Sequence, residues 1–219
     1  MARRLLSYAI VITLLVIAAA TGQVRAYPTG PPDGFTGAPG EGTCMTCHIN
    51  GAGDGALQIL GVPPVYGLNK IYHITVQLED PGQFRWGFEI TALDGGNNKA
   101  GSFTITDATH TQLSTNPPSI PDYVKQTLAG TYTGTNDGPV SWTFDWQCPD
   151  TTTGPIMFYA AANTSQNTGT PAGFNYTATA MTHPGIVGVP LLSNSALALL
   201  IGALILIGGA MVYRRTETC

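Results

Sequence analysis

Charge is scarce in this chain. Only 10% of its 219 residues are Asp, Glu, Lys or Arg, against roughly 25% in ordinary soluble domains. Bases are scarcer than acids. Between residues 27 and 186 there are four bases (Lys70, Arg85, Lys99, Lys125) and twelve acids, a net charge of −8. Such a surface repels phosphate backbones, which argues against nucleic acid as a partner. Helical periodicity is absent between the two ends, and so are sequence repeats and long coiled regions. No Ser/His/Asp order, no phosphate-cradling glycine loop ahead of a helix and no paired-carboxylate spacing on strands is present, so nothing points to an enzyme. The remaining composition, 43% hydrophobic with 27 Gly and 16 Pro, is too apolar for a disordered tail and too punctuated for a helical bundle.

Apolar runs occupy both ends. Residues 1–26 read as a secretory signal: Arg3 and Arg4, then an apolar stretch from Leu5 to Ala20, then the small-residue site Val24-Arg25-Ala26. An uncleaved N-terminal anchor is the alternative. Residues 196–213 are eighteen without a charge. At about 1.5 Å per residue a helix of that length just crosses a bilayer. Arg214 and Arg215 follow and favour a cytoplasmic tail, residues 214–219. A processed C-terminal sorting tail has the same appearance. The expected location is the cell envelope, anchored in the membrane, with the main domain outside the cytoplasm.

The middle alternates with period two. Tyr72, Ile74, Val76 and Leu78 form one apolar face; Phe84, Trp86, Phe88 and Ile90 another; Phe103 and Ile105, Trp142, Phe144 and Trp146, and Ile156, Phe158 and Ala160 three more. Turn signals separate them, including Asp80-Pro-Gly82 and Asn136-Asp-Gly138. Short strands with one apolar face close most simply as two packed antiparallel sheets. The expected architecture is all-β, an immunoglobulin-like antiparallel β-sandwich over residues 56–180. It is preceded by a Gly/Pro-rich segment, 27–55, and followed by a stem, 181–195, and a single transmembrane helix.

The Gly/Pro-rich segment holds the chemistry. Cys44-Met45-Thr46-Cys47-His48 has the spacing of a c-type haem attachment site. Two thiols three positions apart can form thioethers with two vinyl groups of one porphyrin, and the next imidazole can bind the iron. The rival readings are weaker. A structural zinc site wants a second ligand pair, a thioredoxin-like pair wants a βαβ unit, and a plain Cys44–Cys47 disulfide leaves His48 unexplained. One covalent haem c is therefore expected, with Cys44 and Cys47 as tethers and His48 as proximal ligand. For the opposite axial position the candidates are His73, His110, His183, Met157 and Met181. His110 is favoured, since it follows a strand at a loop where ligands are often presented. Cys148 is left over, as a buried inert thiol or an intermolecular partner.

The stretch Phe35-Thr-Gly-Ala-Pro-Gly-Glu-Gly-Thr-Cys-Met-Thr-Cys-His48 resembles the opening of the bacterial choice-of-anchor V domain family, itself similar to the Reeler domain of reelin. Trp86-Gly-Phe-Glu-Ile-Thr-Ala-Leu-Asp94, Trp142-Thr-Phe-Asp-Trp146 and Gly154-Pro-Ile-Met-Phe-Tyr-Ala-Ala-Ala-Asn163 extend the resemblance over residues 35–177. It implies a Reeler-like extracytoplasmic sandwich with a haem-attachment motif and an interchangeable C-terminal anchor. In that family a histidine often stands where this chain has Gln126. The expected function is that of a membrane-anchored monohaem cytochrome-like electron carrier with a redox partner protein. An adhesive or ligand-binding module with structural haem, and a haem-based gas sensor, are the alternatives.

Overall fold

The computed structural model describes residues 27–48, 51–114, 116–117, 120–166, 173–185, 195, 199 and 201–204. The chain divides after Pro184 into two compact units. In the first, ten strands follow in order: β1 (Ala56–Leu60), β2 (Val65–Tyr66), β3 (Ile71–Glu79), β4 (Arg85–Asp94), β5 (Ser102–Ile105), β6 (Thr111–Ser114), β7 (Tyr123–Gln126), β8 (Val140–Gln147), β9 (Ile156–Ser165) and β10 (Asn175–Pro184). They form a four-stranded sheet, β1-β3-β8-β5, and a six-stranded sheet, β2-β10-β9-β4-β7-β6.

The expected all-β, two-sheet architecture is what the chain adopts. Two details differ. The β2–β10 pair, Val65 with His183 and Tyr66 with Pro184, is parallel. And the last strand continues through Pro184, so residues 181–184 belong to the sheet and not to a stem. The expected signal, 1–26, lies outside the described residues. So does most of 196–213, of which Leu199 and Ile201–Leu204 are helical. Among the described residues no helix is long and apolar enough to cross a membrane.

The alternation of apolar residues explains the core. On β8, Val140, Trp142, Phe144 and Trp146 point inward and are buried, and Ile74, Val76 and Leu78 of β3 do the same. Trp142 stacks on Phe88 at 4.4 Å between ring centroids, and Trp146 meets Phe158 edge-on at 4.9 Å. Each indole N–H finds a backbone acceptor: Trp142 Nε1 donates to Gly130 O at 2.8 Å and Trp146 Nε1 to Ala100 O at 3.0 Å. The rings therefore bury their area without stranding a polar atom. Cys148 is a buried free thiol at the edge of this core, its pKa pushed up to about 11 by burial.

The six-stranded sheet breaks the alternation. On β4 not only Trp86, Phe88, Ile90 and Ala92 are buried but also Glu89, Thr91 and Leu93, which face the other way. A strand buried on both faces has a layer over each. Here part of the second layer is the N-terminal segment.

Candidate functional site

The N-terminal segment has little apolar content with which to make a core, and polar side chains of the sheet hold it. Lys125 of β7 donates from Nζ to Pro31 O at 2.8 Å and pairs with Asp33 Oδ1 at 2.5 Å. Asn116 Nδ2 reaches Asp33 Oδ2 at 3.2 Å. Burial acts to raise the Asp33 carboxyl, but hydrogen bonds led by that from Lys125 hold it below the usual carboxylate range. Tyr123 donates to Glu41 Oε1 at 2.6 Å, and Thr36 Oγ1 donates to Glu41 Oε2 at the same distance. Burial, reinforced by that carboxylate, drives the Tyr123 phenol far up.

Glu89 lies in the middle of this layer. It is fully buried; Oε2 accepts the Phe35 N–H at 2.7 Å, and Oε1 has no partner among the described residues. Desolvation pushes its pKa up from 4.5 to about 8, opposed by the Phe35 N–H and Lys125 and aided by Asp33 and Glu41. At neutral pH the group is therefore mostly a neutral acid.

The segment then makes one tight turn. Thr43 caps it, its side chain accepting the Met45 N–H at 3.3 Å, and Cys44–Thr46 form a single 3-10 turn. The N–H groups of Cys47 and His48 both donate to Cys44 O, at 3.1 and 2.9 Å. Gly42 is needed just before it: a Cβ there would lie 2.8 Å from Thr46 Oγ1 and 3.1 Å from the Phe35 ring. The far side is held by β10, where buried Asn175 donates from Nδ2 to His48 O at 3.2 Å.

Cys44, Cys47 and His48 line one cavity of about 160 Å³, open to solvent, between this turn and the start of β4. Phe35 and Pro31 wall it from the segment; Gly87, Gln126 and Asn163 wall it from the sheet. Gly87 leaves room, since a Cβ there would meet Gln126 Nε2 at 3.1 Å. Cys44 and Cys47 are free thiols. Burial, with the negative charge of Glu89 second, pushes the Cys44 thiol up to about 12. The shift favours the thiol over the thiolate at neutral pH.

The expected opposite ligands are not brought to this cavity. His110 directs Nδ1 to Asp107 Oδ2 at 2.7 Å and stacks on Tyr132 at 4.7 Å. Its loop turns back on itself. His73 is exposed and paired with Asp145, and His183 and Met181 are exposed on β10. Met157 sits on β9 opposite Met181. Gln126, by contrast, is at the wall. The β4–β7 ladder ends at Glu89–Lys125 and Ile90–Val124. Beyond it the Gln126 carboxamide substitutes for backbone, Oε1 accepting the Phe88 N–H at 2.8 Å. Glu89 escapes the sequence patterns because it reads there as an ordinary polar strand residue, and Gln126 is marked only by the histidine that the resembled family often has at its place.

No family model matches the chain, and no curated protein does. Solved structures similar to it include the Reelin-N domain of F-spondin, at 22% identity over 62% of this chain and 89% of that one, with a TM-score of 0.41. The human F-spondin reeler domain is also similar, at 22% identity over 62% and 91%, TM-score 0.41. A cohesin module from a Clostridium perfringens family 33 glycoside hydrolase has 7% identity over 61% and 97%, TM-score 0.40. Likeness at this level assigns neither family nor ligand.

Proposed function

We propose that this chain is a membrane-anchored, extracytoplasmic monohaem c-type protein that passes single electrons to or from a redox partner protein. In this reading it is a relative of the choice-of-anchor V domains that its motifs resemble. The observation that carries the proposal is the convergence of Cys44, Cys47 and His48 on the wall of one cavity. The donor set, two thiols three positions apart followed by an imidazole, is the one a tethered porphyrin takes.

A bound haem supplies the one-electron iron chemistry. The chain's own residues do the rest. Cys44 and Cys47 offer two thiols from a single turn. His48 offers its imidazole from the next position, and Asn175 fixes the backbone carbonyl of that residue. Phe35, Pro31 and the Gly87 strand wall the cavity on two sides and would screen a bound group from water there. The signal over 1–26 would deliver the chain to the compartment where thioethers form, and 196–213 would hold it there. The acidic exterior suits a basic redox partner met in a small, salt-sensitive contact.

The test is a pair of optical spectra, oxidised and reduced, on protein made with haem-maturation machinery. A c-type spectrum and a mass increased by one haem are expected, both lost in the Cys44→Ser, Cys47→Ser double variant. A colourless unmodified protein in a competent host overturns the proposal.

One observation favours the gas-sensor reading as the second. Among the described residues lining the cavity, His48 is the only histidine and there is no methionine, so those residues would offer a bound haem one strong ligand and leave room for a small one. Carbon monoxide binding to the reduced protein without displacement of a strong ligand separates the two readings.

A further inference from the structure

The strands give the domain two ends. At one lie Arg85 of β4, Ser165 of β9 and Asn175 of β10, with the cavity and His48 beside them. The ten-residue β10 runs from there to Pro184, roughly 30 Å at strand rise. At the far end Tyr66 pairs with Pro184, the Lys70 carbonyl accepts the Cys148 N–H, and the Asn69 N–H donates to Pro149 O. The chain leaves the domain at this second end.

That end exposes aliphatic side chains. Val65 is 53% exposed, Leu68 40% and Ile71 59%, and Met181, two residues before the partner of Val65 on β10, is 47% exposed. Tyr27, Met45 and Leu128 are exposed near the cavity too, but there they are spread over three separate segments, whereas Val65, Leu68 and Ile71 fall within seven residues of one loop. Its loop, Gly61 to Ile71, carries Lys70 and no acid, in an exported stretch of twelve acids and four bases; Asp150 lies on the neighbouring loop. From Pro184 only the eleven residues 185–195 precede the apolar run. Even fully extended they reach at most roughly 40 Å.

We propose that the Val65–Leu68–Ile71 end is a bilayer contact, seating the domain on the membrane it is anchored to. It rests on the reading of 196–213 as a membrane segment. The occupant is a lipid surface, the aliphatic tips entering the headgroup boundary with Lys70 among the phosphates. The consequence for function is directional. The Cys44–Cys47–His48 cavity is held at the end away from the lipid, so a partner meets it from the aqueous compartment and not from within the membrane.

The experiment reconstitutes the full-length protein in phosphatidylcholine–phosphatidylglycerol vesicles, with plain or brominated acyl chains. Leu68→Trp is compared with Leu128→Trp, whose side chain is exposed beside the turn that contributes Thr131 to the cavity wall. Emission in brominated vesicles is divided by that in plain ones, and the same ratio is taken on protein made without haem-maturation machinery, where no cofactor competes with bromine for the excited state. The added signal from position 68 is expected to fall about twofold, as for a side chain at the headgroup–acyl boundary, and that from position 128 to stay constant. Vesicle-bound protein with equal ratios at both positions overturns the contact and leaves the anchor standing. Protein that fails to float with the vesicles, or that alkaline carbonate strips off, overturns both together.

Discussion

Replacing Glu89 by Gln isolates the buried acid beneath the N-terminal segment. The carboxyl is fully buried, accepts the Phe35 N–H with one oxygen and leaves the other without a partner among the described residues. Its pKa rises from 4.5 to about 8 on folding. The folded state thus keeps this proton over a range where the unfolded state has lost it. Below pH 4.5 both states are protonated and the group is silent. As pH rises from there to about 8, stability falls by about 1.4 kcal/mol per unit, and above that the loss is complete. The full drop is on the order of 3–5 kcal/mol. Lys125, Asp33, Glu41, Tyr123 and Cys44 face the same group, and all are retained in the variant. Gln keeps an acceptor for Phe35 and removes the proton. The assay is urea unfolding of both proteins at several pH values between about 5 and 8, compared as the difference between them, so that every group common to both cancels. The wild type is expected to lose stability across this window relative to Glu89→Gln, whose own profile stays nearly flat. Parallel profiles would refute the assignment of a neutral acid at this position.

Two further substitutions probe the same layer. Lys125→Met keeps the aliphatic stem but abandons the Pro31 carbonyl and the Asp33 carboxylate; charged hydrogen bonds of this kind contribute about 2 kcal/mol, and limited proteolysis is expected to cut within residues 27–43 well before the sandwich. Gln126→Ala leaves the buried Phe88 N–H without an acceptor and is expected to cost about 1–3 kcal/mol by denaturant unfolding, with Gln126→Glu restoring the acceptor at mildly acidic pH and losing that rescue as its own buried carboxyl ionises.

What the sequence makes legible follows from how locally each feature is determined. Strands β3, β4, β8 and β9 are readable because alternating burial writes itself into alternating residues, and Trp142, Phe144 and Trp146 face the core as the period requires. The haem-type motif is readable because Cys44, Cys47 and His48 share one turn, set by Thr43 and by hydrogen bonds within five residues. Other features depend on distant chain. Strands β6 and β7 are four residues each, and in β7 Lys125 and Gln126 are buried by a segment ninety-odd positions earlier. Glu89 falls on the outward phase of β4, which the alternation assigns to solvent. The N-terminal segment covers it instead. The ring of His110 lies away from the cavity for a related reason: a place in a loop says nothing about where the ring turns, and Asp107 and Tyr132 hold this one. Asn175 matches a glycosylation pattern in sequence, yet its side chain is buried against His48 O.

The cavity is therefore assembled from two parts held by different forces. The sheet side rests on a core of stacked indoles and phenyl rings, whose stability comes from area removed from water and is indifferent to pH. The segment side, with both thiols and the imidazole, is joined to that sheet chiefly through Lys125–Asp33, Tyr123–Glu41 and Glu89–Phe35. Ionising Glu89 places an uncompensated charge directly under this joint, beside Asp33 and Glu41, and the first structure to yield is the weaker of the two layers. A lesion in the core removes the whole fold, whereas one in the polar layer parts the thiols from Gly87 and Gln126 while both sheets persist. Substitutions at Glu89, Lys125 and Tyr123, none of them among the described residues lining the cavity, are therefore expected to loosen the segment before they unfold the sheets.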